Sequence, residues 1–276
     1  VLATAPAGRC IFHDDGCEIH RALGPAAKPV SCQHFPREVL IDTRGVFVTL
    51  SHYCPAAADL LFDHVGPIEI VSGPPALPDG EAEGLDARHV LPPLLTEGVL
   101  MDHAGYDAWE AHMVRVLTRD DGRSPEDALS DLARDLSTVQ RWRPGSTSLV
   151  EEIADLWEPL PVSTSVPAAV VPAEVVIRRY LAARAFASWM AYQGNGPRAM
   201  VGSLFLTLDV LRQHVARRAG GGDREPSREQ LKEAIRQTDL MLIHQMPRDE
   251  LARRAVKYRI PPPADRGRWC RPHAVP

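Results

Sequence analysis

Glu38-Val39-Leu40-Ile41-Asp42, Thr43-Arg44-Gly45 and Val46-Phe47-Val48-Thr49-Leu50 form the stretch from which the fold is read. Two β-branched runs flank a short Gly-containing turn, a pattern that predicts a β-hairpin. Cys32 stands just before the first run and Cys54 just after the second. A hairpin therefore returns the chain so that these two thiols approach each other. Beyond Cys54, Pro55-Ala56-Ala57-Ala58-Asp59-Leu60-Leu61-Phe62 predicts a short helix with Pro in its first turn, where a missing N–H costs nothing. Ile68 to Val71 reads as one more strand.

Upstream of the hairpin, residues 1–37 carry neither a helical nor a strand period and are dense in Cys, His, Gly and Pro. A loop-rich segment with so little apolar content does not hold itself together by burial, and a cross-link or a metal supplies the missing stability. Downstream, residues 72–99 are rich in Pro and Gly and read as a linker. From Leu100 onward the chain reads as helical. Three helix starts carry capping signatures, at Ser124 to Asp127, Ser148 to Glu151 and Ser227 to Gln230. The helix after Pro197 sets Val201, Leu204, Phe205, Leu208, Leu211 and Val215 on one face. The segment Glu174 to Tyr192 is apolar on most sides, which predicts a central helix. Gly220-Gly221-Gly222 marks a joint. The expected fold is mainly α: a small loop-rich cysteine module with a β-hairpin over 1–71, a linker over 72–99, a helical bundle over 100–258 and a tail over 259–276.

The five cysteines are Cys10, Cys17, Cys32, Cys54 and Cys270, and four of them crowd the first 54 residues. Their spacing is Cys10-x6-Cys17-x14-Cys32-x21-Cys54. Soft thiolates suit tetrahedral zinc or the irons of an iron–sulfur cluster. The spacing is not that of a zinc ribbon; disulfides and unconnected thiols are the alternatives, and against disulfides stand the odd count and the absence of any sign of an oxidising compartment. His13, His20, His34 and His52 share the module. His34 and His52 lie two residues from Cys32 and Cys54 and rank first as additional ligands or as donors to a sulfur. Cys270 stands alone in a Pro- and Arg-rich tail and receives no role.

These residues resemble a known family. Cys17-Glu18-Ile19-His20-Arg21-Ala22-Leu23-Gly24, then Cys32-Gln33-His34-Phe35-Pro36-Arg37, then Cys54-Pro55-Ala56-Ala57-Ala58 are similar to the YkgJ-type CxxCxxCC cysteine-cluster family. That family is described as a zinc- or iron-chelating, iron–sulfur domain. The nearest variant is the flagellin lysine-N-methylase-like branch, which has the same order of segments and a long helical C-terminal region. The motif match spans residues 10 to 62. The resemblance implies a bacterial protein with Cys10, Cys17, Cys32 and Cys54 as metal ligands. Two departures stand out. The family begins with an upstream segment ending in a Cys-Cys pair, which is absent from a chain starting at Val1, so the expectation is truncation at the N-terminus. Gln33 occupies a position that is often Arg.

Composition narrows the partners. The net charge of −5 implies no general attraction to nucleic acid or to an anionic membrane. The most apolar stretch, Val162 to Val176, is broken by Pro167 and Pro172, so no membrane insertion is expected. With no signal peptide visible, a cytoplasmic protein is expected.

Three functions follow: a metal-binding protein, a protein lysine methyltransferase that uses S-adenosylmethionine on a protein substrate, and a disulfide-stapled interaction module. The second rests on resemblance, because the chain shows no G-x-G-x-x-G loop after a strand; Gly194-Asn195-Gly196 reads as a helix cap. Tyr180, Arg184 and His244 are polar positions in apolar helices, best read as core or boundary residues with satisfied tips. Trp109, Trp142, Trp157 and Trp189 read as core. The pairs Asp63-His64 and Asp102-His103 diverge by about 100° on a helix and do not share a ligand.

Overall fold

The computed structural model describes residues 10–12, 14, 16–64, 66, 68–73, 84–119, 121–145, 147–157, 171–219 and 225–259. His13, Gly220-Gly221-Gly222 and Cys270 lie outside them. Two short helices, α1 (Glu18–Leu23) and α2 (Val30–His34), lead into the hairpin of β1 (Arg37–Asp42) and β2 (Gly45–Leu50). The strands pair antiparallel from Arg37 opposite Leu50 to Asp42 opposite Gly45, which leaves Thr43 and Arg44 as the turn. Gly45 takes φ 148°, a value open to glycine and costly for other residues.

The predicted linker contains a strand: β3 (Leu85–Asp86) runs parallel to β1, with Leu40 opposite Leu85, and makes β1 the middle of three strands. The short helix follows β2 as α3 (Pro55–Asp63). A second small hairpin, β4 (Leu94–Thr96) with β5 (Val99–Leu100), precedes the helices. These are α4 (His103–Thr118), α5 (Pro125–Val139), α6 (Leu149–Ala154), α7 (Ala173–Ala185), α8 (Gly196–Ala219), α9 (Arg228–Asp239) and α10 (Arg248–Lys257). A π-helical turn, Leu240–Gln245, joins α9 to α10. The fold is mainly α.

Local chemistry sets the helix starts. Ser148 and Ser227 close reciprocal boxes with Glu151 and Gln230, while Ser124 accepts from the Asp127 amide without the return bond. On α8, Val201, Leu204, Phe205, Leu208 and Leu211 are buried and Val215 packs beside them. A Cβ at Gly202 would run into the Ala255 carbonyl, so glycine lets α10 lie close against α8.

Three readings change. Ile68 to Val71 forms no strand, having no partner strand among the described residues. The helix predicted to Tyr192 ends at Ala185; the chain then turns through Phe186, Ala187 and Ser188 into a 3₁₀ turn, Trp189–Tyr192. Trp157 is 44% exposed, with the Arg115 guanidinium 4.6 Å from its ring centroid, whereas Trp109 is fully buried as expected.

The hairpin packs on the bundle through a small cluster of Leu40 with Ala87 and Ala187, while α3 enters the main core. Leu61 and Phe62 of α3 belong to the same core as Trp109, Leu132, Leu181 and Leu204. Arg44, at the hairpin tip, enters that interior. Its guanidinium lies 4.3 Å from the Phe47 ring centroid and 3.9 Å from that of Tyr106. It donates to Asp42, Asp107 and Glu110, the last at 2.8 Å. Glu110 also accepts from the Tyr106 hydroxyl at 3.2 Å and from the Ala187 amide at 3.0 Å. Burial pushes the Glu110 carboxyl above its ordinary range and the Arg44 charge draws it back. This cluster fixes the turn after α7, where Ala187 holds φ 52° without being glycine.

Candidate functional site

The cysteine segment is built from short elements that expose most of their surface. Cys17 is the N-cap of α1, Cys54 is the N-cap of α3 with Pro55 after it, and Cys32 lies inside α2. Cys10, Cys17, Cys32 and Cys54 are all free thiols and half-buried. None of the described residues from 10 to 33 is buried, and α1 has no buried side chain. Ile11, Phe12, Leu23 and Val30 are exposed. Polar contacts do what they can here: Arg21 donates to the Asp14 carbonyl, and Gln33, at the position that is often Arg in the resembling family, donates to the carbonyls of Ala26 and Lys28.

Convergence of the four thiols is the test of a shared metal. Among the described residues, no group of three or more His, Cys, Asp or Glu side chains is close enough to hold a metal ion. In this arrangement the cysteines therefore do not form a coordination shell.

The histidines nearest the cysteines turn into the protein. His34 is buried at the end of α2, and His52 is buried against α7. The His52 ring meets Tyr180 edge to face at 5.4 Å, and its Nδ1 has no hydrogen-bond partner. Burial first, then the Arg184 charge, pushes its pKa down from 6.5 to about 4, with Glu38 pulling the other way. The ring is therefore neutral although Asp239 Oδ2 lies 3.8 Å from Nδ1. That carboxylate is already used, accepting from the Tyr180 hydroxyl at 2.6 Å and from the His52 amide. His20 lies exposed on α1.

The other polar residues flagged in the helices have partners, apart from the buried Nδ1 of His103, which has none among the described residues. Arg184 donates to both oxygens of Glu38 at 3.0 Å, and His244 Nε2 lies 2.8 Å from the Ser51 hydroxyl. Asp63 is held by Arg228, and His103 Nε2 lies 2.6 Å from the Thr43 hydroxyl. These bonds tie the hairpin and α3 to the bundle.

A second site was not legible in the sequence. Where β1 and β2 meet α7, α8 and α10, a small cleft opens. Ser188, Trp189 and Arg248 line it, from a turn hidden inside a predicted helix and from the first residue of α10. Only the strained turn at Ala187 and the π-helical turn point to it, and neither has a sequence signature. Such departures from regular backbone concentrate at functional sites.

Comparison with protein-family models, with curated proteins and with solved structures finds no match to this chain. Among the described residues, no helix is long and apolar enough to cross a membrane.

Proposed function

We propose that this chain is a metal-binding protein that carries an iron–sulfur cluster or zinc on Cys10, Cys17, Cys32 and Cys54. One observation carries this reading. Three of these free thiols sit on a segment, residues 10–33, that buries none of its described side chains. Ordering a residue costs about 1–2 kcal/mol, and metal–thiolate bonds are the usual source of order where burial is absent. The resemblance of residues 10 to 62 to the YkgJ-type family points the same way. Because no buried contact fixes residues 10–33, metal uptake can draw the cysteines together from the arrangement described above.

The test is metal and sulfide analysis of protein purified without oxygen, with X-ray absorption at the metal edge. The expected result is bound metal with sulfur neighbours, at about 2.3 Å if it is zinc. Cys32→Ser should lose it while the helical bundle keeps its circular dichroism. Metal-free protein, or undiminished metal in Cys32→Ser and Cys54→Ser, overturns the proposal. A thiol count that falls by two without metal would favour the disulfide-stapled module. Methyl transfer from S-adenosylmethionine to a protein lysine would add the enzymatic function that the flagellin lysine-N-methylase-like resemblance implies.

A further inference from the structure

The hydroxyls around the cleft are mostly spent. Thr49 donates to the Ala183 carbonyl, Ser203 to Met200, Thr207 to Ser203 and Tyr180 to Asp239. Ser188 differs. It is nine-tenths buried, it lines the cleft, and among the described residues its hydroxyl has no hydrogen-bond partner. Its oxygen is not sealed from solvent, as the His52 Nδ1 and Trp109 Nε1 atoms are, so it is open to the cleft and free to donate to an acceptor there.

The charges are similarly unequal. Glu38, Arg184 and Arg248 are the charged side chains on the lining, two cations against one anion. Glu38 is taken by Arg184 in a bidentate pair. Arg248 has no carboxylate within 4.0 Å among the described residues. Its guanidinium lies 3.1 Å from the centroid of the Trp189 ring. The indole is held in place by its own N–H, which donates to the Val39 carbonyl at 3.1 Å. Asp249 and Glu250, beside Arg248 on α10, pair with Arg253 and Arg254 and do not line the cleft. Phe186, Met190, Leu242 and Leu251 add apolar side chains to a lining that is about half polar.

We propose that this cleft binds a small aliphatic monocarboxylate, with Arg248 and the Ser188 hydroxyl as donors to the carboxylate and the apolar wall against its chain. One cationic and one neutral donor match the acceptors of a single carboxylate, and such charge-assisted bonds are about twice as strong as neutral ones. With two cations against one anion the lining carries one net positive charge, which suits a monoanion. The site is built and not incidental, because Ser188 and Trp189 reach it only through the Ala187 turn that Glu110 holds.

The test uses hexanoate as probe on the full chain, followed by ¹⁵N NMR at the Trp189 indole. Saturable shifts are expected with hexanoate, and hexanamide, of the same shape without charge, should bind at least about tenfold more weakly. Arg248→Met should lose about tenfold and Arg248→Lys less, because the charge persists without the fork. Ser188→Ala should lose severalfold. Equal binding of hexanoate and hexanamide to the unaltered chain overturns the proposal without reference to any variant. So does the absence of saturable shifts up to about 20 mM hexanoate, weaker than any useful site.

Discussion

Removing the Glu110 carboxylate tests how the hairpin, α4 and the turn after α7 are joined. The side chain is 2% exposed and accepts from three groups: Arg44 Nη1 at 2.8 Å, the Ala187 amide at 3.0 Å and the Tyr106 hydroxyl at 3.2 Å. In Glu110→Ala, Arg44 is not left alone, since it keeps Asp42 at 2.8 Å and the exposed Asp107. The full penalty for an orphaned buried ion therefore does not apply. The Ala187 amide does lose its acceptor, at about 1–3 kcal/mol, and one buried methylene goes, at about 0.8 kcal/mol. The expected cost is about 2–4 kcal/mol, a sizeable share of the net stability of an ordinary domain. Urea unfolding followed by far-ultraviolet circular dichroism measures it. Hydrogen exchange at residues 186–192 should rise by more than the global loss, because the φ of Ala187 no longer has its anchor. Asp107→Ala, which removes a partner that is mostly exposed, should cost no more than about 1 kcal/mol. A cost for Glu110→Ala under about 1 kcal/mol, or exchange at the turn unchanged, would refute the view that this carboxylate holds the turn.

Gly202→Ala should destabilise the chain by about 1–3 kcal/mol, because the new methyl meets the Ala255 carbonyl and forces α10 away from α8; an unchanged urea midpoint would contradict that packing. His52 sets a pH dependence. Its imidazole takes a proton near 6.5 in the unfolded chain and only at about 4 in the folded one, so protons favour the unfolded state. Its contribution is complete above pH 6.5 and is lost as pH falls toward 4, by roughly 3 kcal/mol. His52→Gln should flatten the stability profile between those pH values, and identical slopes for the two proteins would refute the assignment.

Much of the architecture was readable because it depends on neighbours in sequence. The hairpin follows from β-branched runs around a two-residue turn, and the starts of α5, α6 and α9 from hydroxyl caps that act within three residues. The buried face of α8 follows from its period. The end of α7 was not readable, because Phe186 to Tyr192 is as apolar as the helix before it. A contact from Glu110, 77 residues away, stabilises the turn there. The strand β3 was hidden for a similar reason: two residues carry no period, and pairing with β1 makes them a strand.

The sequence by itself determined that a cysteine-dense, poorly buried segment precedes a hairpin and a set of capped, amphipathic helices. Those properties belong to composition and to short-range periodicity. Tertiary structure alone decided that the hairpin tip docks through Arg44 against Tyr106 and Glu110 of α4. It also decided that His52 faces Tyr180, and that Ser188 and Arg248, 60 residues apart in sequence, line one cleft. Each of these is a long-range juxtaposition, set by which apolar faces bury one another, and no local pattern encodes it.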